Sequence, residues 1–443
     1  MAANGMRELF LQVTDHFNQF VTKLEKSNIK PSSYDVNSPE EYHRLDPMTQ
    51  FQREFIVELL QDLTNLVQGP KASTEAFVSQ TLSDATTINV INHFDIWNAV
   101  PAHGDASYQE IAKSVNLPVE AVSRVMEHAI VIRYFAKVDP ASRDSRIKHN
   151  SRSIALARDA GLRANITTTL DSNGPSTLLL ARALDKWSLG KEEFPKQTGS
   201  LAFNYAFSGG LLGKYDSLWD MIEADGEGEK KGWRQREMVA FMKKIKETVK
   251  TNEALLTLTD WNTPPNAQVV DVGGSAGHDV IQLVEKFSGL KIVVEDLPKC
   301  EPDFETTIPS NLRDRIRFRA HDFFLPQPET GDIYLFKFIF YDWPKDKAVK
   351  IIQALRPALR KGAKIVVMDF VSVPLPDGVV LPKAMQKAKT SSDVRMMALS
   401  GNSERTPQDL QDLFTEADER FEIVRVDATS KAPVCLMELT WRG

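Results

Sequence analysis

Gly273, Gly274 and Gly277 crowd into the run Asp271–Gly277 (DVGGSAG), between an apolar stretch and an amphipathic one. Glycine lets a backbone approach a ligand closely, and the free N–H groups at a helix start favour polar and anionic groups. The apolar run Ala267–Asp271 (AQVVD) ends in an acid, and a helix begins near Asp279 with Val280, Ile281, Leu283 and Val284 as its buried face. Strand, Gly-rich turn and helix in that order make a nucleotide-type cradle. A second strand, Lys291–Val294, runs into Glu295-Asp296-Leu297-Pro298. An acid at that point is placed to accept from ribose hydroxyls. NAD is the main rival ligand. The order Asp271-Val272-Gly273-Gly274 departs from G-x-G-x-x-G, however, and leaves no tidy pyrophosphate cradle. A purely structural turn in another α/β protein is the remaining alternative on these residues.

The elements that must hold this turn are legible on both sides. After residue 260, strands and helices alternate to the end, which predicts an α/β domain with a mostly parallel, Rossmann-like sheet covered on both faces. Before it the chain reads as helical. Met48 to Val67 carries Phe51, Phe55, Ile56, Leu59, Leu60, Leu63 and Leu66 at helical spacing, after a loop over 30–42. A helix over 87–100, another from Tyr108, a turn at 116–118, a helix from Glu120 to Ala129 and a hairpin (132–138 and 147–149, tip 139–145) form a winged-helix pattern. The stretch 194–260 reads as helical with a charged, Gly-rich break at 224–232. The division expected is 1–84, a helical dimerisation region; 85–170, winged-helix-like; 171–251, a helical linker and pocket region; and 252–443, the cofactor-binding domain.

Composition excludes several functions. The 443 residues are 42% hydrophobic and 26% charged, with a net charge of −6. A nucleic-acid-binding protein normally presents a basic face, and the charges of Glu120, Arg124 and Glu127 on the second winged-helix helix nearly cancel. That favours packing and dimerisation over DNA binding. Two cysteines in so long a chain suggest a reducing compartment and no disulfide framework. The N-terminus lacks a secretory pattern, and no apolar run reaches the roughly 20 residues of a membrane helix. The expectation is a cytoplasmic protein with no nucleic-acid or membrane partner and no metal.

DVGGSAG, Glu295–Pro298 (EDLP), His321–Phe324 (HDFF), Lys337–Trp343 (KFIFYDW), Asp393–Met397 (DVRMM) and Glu404–Thr406 (ERT) stand in one order. In that order they resemble the O-methyltransferases of plant and fungal secondary metabolism, and the resemblance covers about 85–443. It implies S-adenosylmethionine, or its demethylated product S-adenosylhomocysteine, over Asp271, Gly273, Gly274 and Gly277. It also implies Asp296 on the ribose, Asp322 and Phe323 on the adenine, and Lys337 near the cofactor and the pocket floor. The implied substrate-side residues are Phe340, Trp343, Met396, Met397 and Leu413, and the implied assembly is an intertwined homodimer.

The chain departs from that family where the proton is removed. Most members carry His-Asp-Trp, with the histidine as general base. Here the position is Tyr341, a phenol that ordinarily titrates near ~10. Asp369 stands where a glutamate usually orients the histidine, and Glu404 is retained. The sequence is similar to a fungal branch, the O-methyltransferase-like pericyclases of pyridone alkaloid pathways. That likeness implies dehydration of an alcohol to a quinone methide and its Alder-ene or hetero-Diels–Alder cyclisation, on a polyketide or pyridone substrate. Such a reaction needs a shaped pocket and a donor on a carbonyl. Lys337, on an apolar strand over 333–340, is the expected donor, with Tyr341 holding substrate. The alternatives are an active O-methyltransferase on a phenolic or pyridone hydroxyl and an inert cofactor-binding partner protein.

Overall fold

Alternating residues along one strand show how the site is carried. In the computed structural model, strand Ile333–Lys337 sends Tyr334 and Phe336 into one hydrophobic cluster and Ile333 and Leu335 into another. Successive strand residues point to opposite faces. A strand whose first four residues are all buried in these clusters is covered on both sides, as parallel strands are. Ten strands are present among the described residues, which are 2–443 without 43–44, 143–144, 193, 195–198, 225, 227, 229–230, 250, 258, 263, 373–380, 403 and 428–433.

Three short strands, β1 (Asp105–Ala106), β2 (Phe135–Lys137) and β3 (Ile147–His149), form an antiparallel sheet in the order β1-β3-β2. The other seven are β4 (Gln268–Val272), β5 (Lys291–Asp296), β6 (Ile316–Ala320), β7 (Ile333–Lys337), β8 (Lys364–Phe370), β9 (Phe421–Asp427) and β10 (Val434–Trp441). They pair in the order β6-β5-β4-β7-β8-β10-β9, and β10 runs antiparallel to both its neighbours. This is the mostly parallel sheet the sequence predicts. One face is covered by the helix His278–Lys286, through Val280, Leu283 and Val284. The other takes Lys345–Leu355 and Pro407–Ala417. Each such side chain contributes about 1.5–3 kcal/mol when fully buried.

The winged-helix pattern also forms. Helix Tyr108–Ser114 starts at Ser107, whose hydroxyl accepts the Glu110 N–H while the Glu110 carboxylate accepts the Ser107 N–H. This reciprocal cap fixes the helix start. Helix Val119–Val131 follows, and Trp97, Ile111, Met126, Phe135 and Ile147 fill the core. The first hairpin strand is shorter than expected, Phe135–Lys137, the second lies at Ile147–His149 as expected, and part of the tip lies outside the described residues. The helix expected over 87–100 is instead the end of a long element, Pro47–His93, interrupted by left-handed backbone at Asp95 (φ 51°) before Ile96–Ala99. The long element itself bends at Gly69 (φ 78°), just before Pro70. Proline there removes a backbone donor and displaces the preceding turn.

The chain divides into two units, each assembled from three segments. One holds 1–178, 219–244 and 380–394; the other holds 179–218, 245–379 and 395–443. This differs from the four consecutive parts expected. The 84/85 boundary falls inside one helix, and residues 179–218 belong with the cofactor-type sheet. Ala183 and Ala202 pack with Ala398 there. Periodicity reports which face of an element is apolar, and says nothing about which distant segment covers it. The region 194–260 is broken into Ala202–Ala206, Leu218–Glu223, Trp233–Val249 and Thr251–Thr257, and its charged break lies partly outside the described residues.

Candidate active site

The Gly-rich turn leaves β4 and is pinned to the next strand. The Gly273 and Gly274 N–H groups both donate to the Glu295 carbonyl, at 2.8 and 3.0 Å. Gly273 has φ 76° and Gly277 φ 75°. A Cβ on Gly273 would come within 2.6 Å of Ile339 Cδ1, and one on Gly274 would fall onto the Asp271 carboxylate. The turn is therefore closed to any other side chain while its outer backbone stays bare. Asp296 ends β5, and its carboxylate accepts the Ser275 N–H at 2.8 Å and the Leu297 N–H at 2.7 Å. Ser275 is itself left-handed (φ 53°), a conformation rare outside glycine and held here by that bond. The Phe323 ring lies beside the turn, 3.5 Å from the Gly273 Cβ position. Asp322 accepts the Phe324 N–H at 2.9 Å and shapes the loop that carries Phe323.

These residues fit S-adenosylmethionine. A carboxylate offers about four lone-pair directions, so Asp296 keeps acceptor capacity for a ribose diol after taking two backbone donors. Phe323 gives an apolar plane next to the bare turn. Beneath the turn Glu295 is buried, and burial pushes its carboxyl up to about 7 although Gln327 donates to it at 2.7 Å.

Lys337 lies where the sequence places it, on a dry strand, but its ammonium is engaged. Its Nζ sits 2.7 Å from Asp279 Oδ1, with the lysine side chain only 3% exposed. Asp279 occupies the first turn of the helix His278–Lys286, where a carboxylate suits the helix dipole. The expected projection of Lys337 as a donor for substrate is thus replaced by an ion pair with the cofactor-side helix. The strand also stops at Lys337 rather than running to Phe340. Phe338 is left-handed (φ 58°) and Phe340–Asp342 forms a tight helical turn.

That turn is the second half of the site. Asp369, at the end of β8 and buried, accepts the Tyr341 N–H at 3.0 Å and the Phe370 N–H at 2.8 Å. Its role here is to fix the turn backbone. Arg405 binds the Phe340 carbonyl and, at 2.7 Å, the Trp343 carbonyl. Asn402 reaches the Tyr341 carbonyl at 3.4 Å. Glu404 is half-buried on the same loop as Arg405. The Tyr341 ring packs edge-on to Phe370, and the half-buried Arg395 acts electrostatically on Tyr341.

Met396 and Met397 are half-buried on the helix Lys383–Leu399. Trp343 lies edge-on to Phe323 and Phe324, at 5.9 and 4.8 Å between ring centres. Phe340 and Leu413 do not line a pocket. Both are fully buried in the core, Phe340 against Phe336 and Phe414. The strand's early end turns Phe340 inward, and Leu413 lies on the sheet-facing stripe of its helix.

Comparison with known proteins identifies the family. Residues 214–419 match the O-methyltransferase domain family. The chain is 40% identical to O-methyltransferase lcsG of Purpureocillium lilacinum over 442 residues, 99% of this chain and 94% of that one. The chain belongs to the O-methyltransferase family. O-methyltransferase AMT9 of Alternaria alternata is 31% identical, covering 89% of this chain and 88% of its own. Among solved structures, OxaC aligns over all of both chains with a TM-score of 0.74 at 17% identity. LepI in complex with SAM aligns over 88% of this chain and 94% of its own, with a TM-score of 0.68 at 21% identity. A third, described as "A Pericyclic Reaction enzyme", covers 97% of this chain and 100% of its own, with a TM-score of 0.68 at 20% identity.

As a family member the chain is an enzyme of the S-adenosylmethionine-dependent kind, and S-adenosylmethionine is its cofactor. Sequence reasoning missed three participants. Asp279 reads in the sequence as a helix start, although a first-turn acid facing an apolar strand with one lysine is a pairing signal. Arg405 sits in the ERT motif, but its target is backbone carbonyl, which no sequence pattern marks. Asp342 stands in the sequence only as the neighbour of Tyr341. Its carboxyl has no hydrogen-bond partner among the described residues, and burial together with the Asp369 charge pushes it up to about 7.

Proposed function

We propose that this protein transfers a methyl group to a hydroxyl of a small phenolic or pyridone-type product of secondary metabolism. The observation that carries the reading is the Lys337–Asp279 pair, which draws to the cofactor side the one cation that a pericyclic reaction was expected to use. The relatives at 31–40% identity, both O-methyltransferases, support it. The cofactor supplies an electrophilic methyl on a sulfonium. Asp296 holds the ribose, the Gly273–Gly277 turn lies under the methionine portion, and Asp322 with Phe323 bounds the adenine. Tyr341, Trp343, Met396 and Met397 face the substrate. Two copies associate through the N-terminal helices.

A second reading is favoured by one residue. Tyr341 stands where the family base is histidine, and that substitution suits a pericyclase that dehydrates an alcohol to a quinone methide and steers its Alder-ene or hetero-Diels–Alder closure. One experiment separates the readings. The protein is incubated with S-adenosylmethionine and a panel of phenols, hydroxypyridones and pyridone alcohols, and products are read by mass. Gain of one methyl supports methyl transfer. Loss of water without methyl gain supports the pericyclase. Neither change with any member, despite cofactor binding by calorimetry, supports an inert binding partner.

A further inference from the structure

We propose that the Asp342 carboxylate takes the proton from the substrate hydroxyl, with Asp369 fixing the turn that carries it and Tyr341 holding the hydroxyl beside it. The proposal rests on the methyl-transfer reading.

The two acids are treated differently by their surroundings. Asp369 accepts backbone N–H groups from Tyr341 and Phe370, with Phe340 also acting on it, and Arg405 lies near. All of these stabilise its charged form. Asp342 has none of them. It is half-buried on the turn, accepts no hydrogen bond among the described residues, and feels Asp369 as a like charge. Burial raises both carboxyls, and the pair titrates as a unit. The backbone hydrogen bonds on Asp369, which Asp342 lacks, favour the negative charge on Asp369 and the shared proton on Asp342.

Other charged groups around the turn do not offset this. The Arg405 guanidinium is bound to the Phe340 and Trp343 carbonyls, and its field lowers Asp369. Arg395 acts on Tyr341. The Cys435 thiol on β10 is pushed up to about 12 by burial and by Asp369, so it stays neutral. A carboxylate with affinity for protons near neutrality is a competent general base, which an unassisted phenol is not. In the step itself, the substrate O–H bond breaks and its proton passes to Asp342. The oxygen's electron pair forms the bond to the methyl carbon while the sulfonium C–S bond breaks toward sulfur. Asp342 then releases the proton to water.

The test uses the full chain. Asp342→Asn lowers kcat on the order of a hundredfold or more, with cofactor affinity by calorimetry unchanged, and Asp342→Glu recovers part of the rate. Tyr341→Phe loses mainly in KM. The wild-type rate rises with pH and levels off above about 7, and Asp369→Asn moves that midpoint down. Infrared difference spectra give a reading independent of turnover: of the protonated-carboxyl bands lost near pH 7 in the wild type, one is missing from Asp342→Asn while that of Glu295 remains. Wild-type methyl transfer that Asp342→Asn leaves intact, or identical infrared titrations in the two proteins, overturns the base assignment and leaves the methyl-transfer reading standing. A wild type that transfers no methyl to any hydroxyl overturns the reading itself. In that case a dehydration rate that falls, rather than rises, through pH 7 makes Asp342 a proton donor and not a base.

Discussion

Lys337 shows how one contact redirects a functional argument. A lysine on a dry strand invites a role as donor to substrate, but 2.7 Å from it lies Asp279. A buried ion pair adds little net stability, while removing one partner leaves a buried charge and costs about 3–5 kcal/mol. Lys337→Met is therefore expected to destabilise the fold by that order in urea unfolding, and Lys337→Met with Asp279→Leu to recover much of it. A large effect of Lys337→Met on product ratio at unchanged stability would return the lysine to the substrate side. Glu295 yields a prediction of the opposite kind. Its carboxyl is raised from 4.5 to about 7, so the folded state binds the proton more tightly than the unfolded chain. Its contribution is fully present below about 4.5 and is lost as pH rises through 7. Stability should fall across that window, and Glu295→Gln should flatten the fall in a series of thermal melts. A wild-type Tm that climbs between those limits would contradict this.

At the level of elements, the turn after β4 and the turn after β7 differ in how much the sequence disclosed. The glycines of the first are legible, because glycine is required where Gly274 sits on a carboxylate and Gly273 has positive φ. Gly274→Ala should abolish cofactor binding by calorimetry while leaving the sheet intact by circular dichroism. Measurable binding by the variant would mean that the turn has room to shift. The second turn was half legible. The motif located Tyr341 and Asp369, but the strand was expected to run on to Phe340. Only the left-handed Phe338 and the carbonyls held by Arg405 explain why it stops. Backbone-directed contacts leave no periodicity to read, so Phe340 and Leu413 were assigned to a pocket when they fill the core.

For the molecule as a whole, the sheet and the winged-helix pattern were readable from alternation and helical spacing, and the assembly of segments was not. The N-terminal helices leave much apolar surface uncovered: Phe10, Leu11, Phe17, Leu66, Val67, Phe77 and Val78 are each more than half exposed. Monomers rarely leave so many large apolar side chains in water, and two-fold pairing is the commonest remedy. The chain is expected to run as a dimer in light scattering at micromolar concentration, and Phe77→Glu with Val78→Glu to shift it towards monomer. A monomeric wild type would refute this.

The three-segment construction of each unit also sets an order of events during synthesis. The unit that contains the first residue is incomplete until residue 394 has left the ribosome, and the other needs both 179–218 and the final strands. The first cannot finish folding until most of the other has been made. The parts of the first unit that 219–244 and 380–394 complete stay open for most of the chain's translation. Such intermediates are prone to aggregate. Slow translation or scarce chaperones would therefore lower the yield of this protein more than that of one whose domains follow one another along the chain. A piece cut at 252 would lack the helices that cover Ala398.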